Sequence, residues 1–234
     1  MKAMILAAGR GERMRPLTDT CPKPLLLVGG KPLIVWHIER LAAVGFTQLV
    51  INHAHLGDQI EAALGDGSRW KLSIQYSAEP TGALETAGGI AQVLPLLGDA
   101  PFLVINGDTF CAWNPALALH GLGVSKLAHL ILVPNPPQHP QGDFSLKDGV
   151  VGPTTKPNQA TPQTQYTFSG IGIYRTELFD DIARGSRAKL APLLINAMAT
   201  DQVSGELYLG KWVDVGTPER LAALDAEVRL TGSE

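Results

Sequence analysis

The sequence predicts an α/β protein with a doubly wound, mostly parallel sheet and helices on both faces. Three observations carry that expectation. Short apolar runs alternate with helix-period segments through the first half of the chain. Phe102-Leu103-Val104-Ile105 is continuously apolar, as strands buried on both faces of a parallel sheet are. With 25 Gly and 17 Pro, the 234 residues favour tight turns and short elements over a helix bundle.

Taken in order, residues 2–8 read as the first strand. Its apolar stretch is too short for a secretory leader, and Arg10, Arg13 and Arg15 follow at once. A helix is expected over 32–45, opened by Pro32, carrying Ile34, Ile38, Leu41 and Ala42 on one face, and stopped by Gly45. A strand over 48–52, a short helix over 58–64, an alternating strand over 72–76 and a helix over 83–97 follow; Gly88 and Gly89 would let that helix pack closely. Strands over 102–106 and 127–133 complete a Rossmann-like β-α-β succession with right-handed crossovers.

The second half is less regular. A proline-rich stretch over 134–165 should hold a hairpin near 144–151, followed by a strand over 166–174 and a helix over 190–199. Strands over 205–213 should break at Gly210. The last helix, about 217–230, has Thr217 as N-cap, Pro218 at its first position and Leu221, Leu224 and Val228 facing inward. One domain over 1–234 is expected, with halves at about 1–133 and 134–234, the second a smaller β-containing subregion with the C-terminal helix.

Composition excludes several function classes. Hydrophobic residues make up 45% and charged residues 18%, which is globular. Nineteen basic and twenty-two acidic residues leave a charge of −3, and no run of five like charges appears, so neither nucleic acid nor a polybasic membrane anchor is expected as partner. No apolar run reaches the ~18 residues of a membrane span. Cys21 and Cys111 show no metal spacing and no disulfide framework, which suits reduced thiols and a cytoplasmic location. If the strand over 48–52 continues, His53 and His55 share a face, but without an acid partner they make a poor metal site.

The loop after the first strand, Leu6-Ala7-Ala8-Gly9-Arg10-Gly11-Glu12-Arg13-Met14, lies where ligands bind in open α/β sheets. Its glycines let the backbone approach phosphate oxygens. A dinucleotide fingerprint needs a third Gly where Met14 stands and a helix where Arg15-Pro16 and Pro22 stand, which weighs against a nicotinamide oxidoreductase. The loop instead supplies cations: Arg13, Arg15, and Lys23 held between Pro22 and Pro24 on a stiffened backbone.

These residues resemble a known family. The stretch from Leu6 to Thr18, then Cys21-Pro22-Lys23-Pro24-Leu25, Val104-Ile105-Asn106-Gly107-Asp108, Lys156-Pro157, Phe168-Ser169-Gly170-Ile171 and Trp212-Val213-Asp214-Val215-Gly216-Thr217-Pro218, is similar to the signature of sugar-1-phosphate nucleotidylyltransferases, in order and from about residue 2 to 225. The resemblance implies attack of a sugar-1-phosphate oxygen on the α-phosphorus of a nucleoside triphosphate, with release of pyrophosphate. That nucleophile is already largely ionised at neutral pH, so positioning and charge neutralisation should do the work of catalysis without a general base. The resemblance implies catalytic roles for Arg13, on the departing pyrophosphate, and Lys23, nearer the α-phosphate. It implies Mg²⁺ held by Asp108 and Asp214, consistent with an ion that takes one or two carboxylates plus phosphates and waters. Leu6, Ala7, Ala8, Gly9, Gly11, Glu12, Arg13, Lys23, Glu79, Gly82, Asn106 and Asp108 would bind the nucleotide. Asn106, Gly142, Asp143, Lys156, Ser169 and Gly170 would bind the sugar phosphate. Thr155 stands where many relatives have Glu, so one sugar-hydroxyl contact is missing or supplied elsewhere.

Glu79 bears on the base. An ionised carboxylate only accepts hydrogen bonds, which suits uracil, thymine or guanine and disfavours cytosine and adenine. Residue chemistry leaves uracil and guanine open. The Gly142-Asp143-Phe144-Ser145 and Gly216–Leu221 segments are most similar to a uridylyl-transferring branch serving cell-wall recycling, which implies UTP. The sugar of that branch carries a carboxylate, and Arg187 and Lys189 are the cations the sequence offers for it. A mannose-1-phosphate guanylyltransferase, another hexose-1-phosphate enzyme, or an inactive nucleotide-sugar sensor are the alternatives. The β-helix of some longer relatives is not expected, and a monomer or weak homodimer is.

Overall fold

β1 (Ala3–Ala7) takes the middle of the parallel part of the sheet because its side chains serve two cores at once. Ala3, Ile5 and Ala7 enter one apolar cluster, and Met4 enters the other. The computed structural model describes residues 1–80, 84–154 and 164–231. After β1 the chain forms a short helix, α1 (Leu17–Thr20), and a small hairpin of β2 (Leu27–Val28) and β3 (Lys31–Pro32). It continues through α2 (Leu33–Ala43), β4 (Gln48–His53), α3 (Gly57–Leu64), β5 (Ser73–Ala78), α4 (Glu85–Leu97), β6 (Phe102–Asn106), β7 (Thr109–Cys111), α5 (Ala118–Gly121) and β8 (Ala128–Val133). The second half adds β9 (Phe144–Lys147), β10 (Val150–Pro153), β11 (Gln165–Tyr174), α6 (Leu190–Met198), β12 (Val203–Leu207), β13 (Trp212–Asp214) and α7 (Pro218–Thr231).

Nine strands form one sheet in the order β5-β4-β1-β6-β11-β8-β12-β10-β9. β5, β4, β1 and β6 pair in parallel, and β12 pairs in parallel with β8. β11 runs antiparallel between β6 and β8, and β10 antiparallel between β12 and β9. Seven strands therefore point one way and two the other. The expected strands are all present, and the run over 205–213 is split into β12 and β13, on either side of Gly210. β13 leaves the main sheet and pairs with β7.

Burial on both faces explains the apolar strand runs. Leu49, Ile51, Leu103 and Ile105 face the cluster covered by Ile34 and Ile38 of α2 and Ile60 of α3. Val50, Phe102 and Val104 face the cluster covered by Ile90 of α4 and Leu194 of α6. A third cluster seats α7 through Leu224 and Val228 against Met14, Trp36 and Phe110. Gly29 is required there: its φ is +61°, and a Cβ would lie 2.6 Å from Val228 Cγ1. The imidazole of His53 does have an acid partner, Glu61, with Nε2 2.7 Å from Oε1. Among the described residues, no group of three or more His, Cys, Asp or Glu is placed to hold a metal alone, and no helix is long and apolar enough to cross a membrane.

Candidate active site

The carboxyl ends of β1, β4 and β6 and the turns that follow them open into two cavities that meet at Asn106 and Asp108. The larger, about 420 Å³, is lined by Leu6, Ala7, Ala8, Gly9, Gly11, Glu12, Arg13, Lys23, Glu79, Asn106 and Asp108 among others. These are all the expected nucleotide-side residues except Gly82, which lies outside the described residues. The smaller, about 220 Å³, is lined by Asn106, Asp143 and Ser169 of the expected sugar-side residues, together with Asp108 and Asp214. Lys156 and Thr155 lie outside the described residues.

The loop after β1 is built to present its backbone. Gly11 takes φ +69°, a left-handed conformation that glycine adopts without steric cost. Its carbonyl accepts from Met14 N at 2.9 Å and Thr18 Oγ1 at 2.8 Å, which closes the loop on itself. Arg10 is braced by Thr18 O and the His55 ring, and Arg15 pairs with Glu12 and Asp19. Arg13, exposed at the cavity rim, has no hydrogen bond or ion pair among the described residues. It is a cation with no protein anion to neutralise it.

Lys23 is the opposite case. Its side chain is only 8% exposed, and its Nζ lies 2.6 Å from Asp108 Oδ2. A nearly buried ammonium needs such a partner, because desolvation would otherwise disfavour its charge. Asp108 follows β6, whose next residue, Gly107, packs its Cα against β1; a Cβ there would lie 2.8 Å from Leu6 O. Beneath Asp108, the Nε2–H of His37 donates to Thr109 O at 2.6 Å. Burial pulls the His37 pKa down to about 4, so the ring is neutral.

Asp214 reaches the same place from 106 residues away in sequence. β13 pairs with β7 so that Asp214 is in register with Thr109, and Val215 N donates to Asp108 O at 3.2 Å. Asp108 and Asp214 thus line the smaller cavity together, with Asp108 at its junction with the larger. Asp214 Oδ2 accepts from Arg220 Nη1 at 2.8 Å. Two carboxylates and the Asn106 amide are an all-oxygen set of the kind a hard divalent cation takes, with substrate phosphates completing its shell. The residues fit that ion.

Glu79 has 9% exposure and works inside the fold. Its Oε1 accepts from Asn52 Nδ2 at 2.6 Å and its Oε2 from Leu84 N at 2.8 Å. Asn52 Oδ1 in turn accepts from Ala7 N at 2.9 Å, tying Glu79 to the loop after β1. Gly89 makes room for this pair, since a Cβ there would stand 2.6 Å from Glu79 Oε1.

On the sugar side, a register shift in β11 between Phe168 and Ile171 bulges Ser169 and Gly170 toward Asn106. Gly170 has φ +82°, and a Cβ would fall 2.5 Å from Asn106 Nδ2. Gly142 has φ +67° and would clash with Asn135 Oδ1. Neither glycine lines a cavity; both give the backbone room to place Asp143, Ser169 and Asn106. Asp143 is held on both oxygens, by Phe168 N at 2.8 Å and His139 Nε2 at 3.0 Å.

Several lining residues escaped sequence reading: Asn52, Glu85 and Thr86 in the larger cavity, and Gln138, His139, Thr167 and Trp212 in the smaller. Asn52 had a signal, a polar residue closing an apolar strand. Arg187, offered by the sequence as a cation for the sugar's carboxylate, lines the larger cavity instead, because the segment before α6 reaches it through backbone bonds to α4, Ala87 N and Gly88 N donating to Ala188 O. Arg187 pairs there with Glu85 Oε1 at 2.8 Å, while Lys189 lines neither cavity.

Comparison with known proteins agrees with this geometry. The chain is 58% identical to the N-acetylmuramate alpha-1-phosphate uridylyltransferase of Neisseria meningitidis serogroup B, over 97% of each chain. It is 34% identical to the protein of that name from Caulobacter vibrioides, covering 97% of this chain and 96% of the other. Its fold matches the crystal structure of a candidate glucose-1-phosphate thymidylyltransferase from Bacillus anthracis with a TM-score of 0.84 at 23% identity, covering 98% of this chain and 95% of that one. The nucleotidyl transferase family model matches residues 2–230, and this chain belongs to that family.

Proposed function

We propose that the chain transfers a uridylyl group from UTP to N-acetylmuramate 1-phosphate, giving UDP-N-acetylmuramate and pyrophosphate in the recycling of cell-wall sugar. The observation that carries this reading is the junction itself: a triphosphate-sized cavity and a sugar-sized cavity share Asn106 and Asp108. The choice of uracil and of this sugar rests on the relatives' named activities. Both substrates are soluble metabolites, which fits a cytoplasmic enzyme.

In the larger cavity the loop from Leu6 to Met14 receives the triphosphate on its backbone N–H groups, and Glu79 lies at the base end. In the smaller cavity Asp143, Ser169 and Asn106 bind the sugar, with its phosphate at Asp108. An oxygen of the sugar phosphate forms a bond to the α-phosphorus as the bond to pyrophosphate breaks. The nucleophile arrives ionised, so no proton needs to move. The barrier lies in bringing anions together, and fixed cations lower it. Lys23 leaves Asp108 for the α-phosphate, and Arg13 neutralises the departing pyrophosphate. A Mg²⁺ ion held by Asp108 and Asp214 would lend further positive charge to the phosphate oxygens.

A pyrophosphate-release assay over the four nucleoside triphosphates and a panel of sugar 1-phosphates tests this reading. UTP with N-acetylmuramate 1-phosphate should give the highest kcat/KM. A higher value for GTP with mannose 1-phosphate would overturn the substrate assignment, and no turnover with any pair would overturn the enzyme reading in favour of a nucleotide-sugar sensor.

A further inference from the structure

The smaller cavity carries a charge problem that its occupant must solve. Three of its lining residues are acids: Asp108 is paired with Lys23 and Asp214 with Arg220, which leaves Asp143 as the lining acid without a Lys or Arg partner among the described residues. N-acetylmuramate differs from N-acetylglucosamine by a lactyl ether that ends in a carboxylate. That group would enter a cavity that already holds the Asp143 carboxylate, beside which an unpaired anion is repelled. Among the described residues lining the cavity, one side chain can carry positive charge: His139. The two cations offered by the sequence do not serve. Arg187 lines the other cavity and is paired with Glu85, and Lys189 lines neither.

We infer that His139 receives the carboxylate of the acid sugar and sets the preference for it over its neutral counterpart. The inference rests on the proposed acceptor. Asp143 organises the receptor. Its Oδ2 is fixed by Phe168 N at 2.8 Å, and its Oδ1 accepts from His139 Nε2 at 3.0 Å. Nε2 is therefore the donor to the protein, and Nδ1 has no partner among the described residues. With the sugar bound, the doubly protonated ring lies between two carboxylates, donating Nε2–H to Asp143 and Nδ1–H to the lactyl group. The same ring gives a neutral sugar no comparable ion pair. The loop that carries it is short and braced: Asn135 Nδ2 donates to Gln165 O at 3.0 Å, and Thr154 Oγ1 donates to Asp143 O at 2.6 Å. Because half of the ring surface is already exposed, its replacement should not unfold the chain.

The test measures kcat/KM with UTP for N-acetylmuramate 1-phosphate and for N-acetylglucosamine 1-phosphate, which lacks only the lactyl group. The readout is the ratio of the two. His139→Gln should lower that ratio about tenfold to a hundredfold, the worth of one charge-assisted hydrogen bond. His139→Arg, which keeps a cation, should retain most of the preference, and Arg187→Gln should leave the ratio near that of the parent. If His139→Gln lowers both substrates equally, the ring is structural and the inference fails. It fails also if the ratio collapses in Arg187→Gln instead. A parent enzyme that already prefers the neutral sugar would refute the acceptor assignment itself, a result separable from the role of His139.

Discussion

The two cavities share Asp108 and Asn106, yet they are built in different ways. The larger one takes most of its lining from one stretch, the glycine turn directly after β1 and the turn that carries Lys23, with single residues such as Asn52, Glu79 and Arg187 added from elsewhere. That stretch offers backbone N–H donors and two cations, Arg13 and Lys23, chemistry that would suit the phosphates of any nucleotide. The smaller one is assembled from five separated segments, around Asn106, Pro136–His139, Asp143, Phe168–Ser169 and Trp212–Asp214. Its groups are acids, amides and one imidazole, suited to telling sugars apart. A mostly contiguous wall would suit chemistry common to many reactions, and a wall drawn from separate segments would suit selectivity.

The sharpest way to break this contrast is at the shared wall. Asp108→Ala and Asp214→Ala should each lower kcat by about a thousandfold or more, because losing several kcal/mol of charge stabilisation leaves the phosphates unscreened. Asp108 also neutralises the nearly buried Lys23, so Asp108→Asn with a circular dichroism spectrum separates lost chemistry from lost fold. EDTA should have the same effect on the parent, reversed by added Mg²⁺. Full activity in EDTA would show that the acids serve another purpose.

Lys23→Ala comes next. It should cut kcat by about 10²- to 10³-fold, the cost of removing one preorganised charge from a transition state, and raise KM for the sugar phosphate far less. A loss confined to KM would place Lys23 in ground-state binding only. At the base end, Glu79→Gln puts an amide N–H₂ against either Asn52 Nδ2 or Leu84 N, two donors that now point at carboxylate oxygens. A donor left unmatched in this buried place should cost about 1–3 kcal/mol of stability, seen as a lower Tm. The same variant should narrow the preference for UTP over CTP by about tenfold. An unchanged preference with a lower Tm would make Glu79 purely a brace.

The smallest effect concerns the floor of the junction. His37 has a folded pKa of about 4, below its ordinary value of 6.5. Between those values the unfolded chain binds a proton that the folded chain does not, so stability should fall as pH drops from 6.5 towards 4 and level off below. The whole contribution is at most on the order of 3 kcal/mol. His37→Gln keeps a donor for Thr109 O without titrating and should flatten that slope in urea melts taken across this range.

How far the sequence reaches follows from the same contrast. The parallel strands were legible because burial on both faces leaves continuous apolar runs such as Phe102–Ile105. The nucleotide residues were legible because one turn carries most of them. Asp214 was named by resemblance, and its place beside Thr109 became visible only in the pairing of β13 with β7. His139 left no local mark, and Arg187 was legible as a cation but not in its place. One is positioned by a carboxylate four residues on, the other by a loop that docks on a distant helix at Gly88, where a Cβ would meet Ser186 O at 2.3 Å. Glu79 was legible as an acid beside the nucleotide, while its engagement by Asn52 and Leu84 depends on a three-element contact that no spacing encodes.

A crystal structure with Mg²⁺, a non-hydrolysable UTP analogue and N-acetylmuramate 1-phosphate addresses the shared wall most directly. The account predicts the uracil beside Glu79, the sugar beside Asp143, and the metal touching Asp108 and Asp214 between them. Nucleotide and sugar packed into a single cavity, with those two carboxylates still bound only to Lys23 and Arg220, would contradict it.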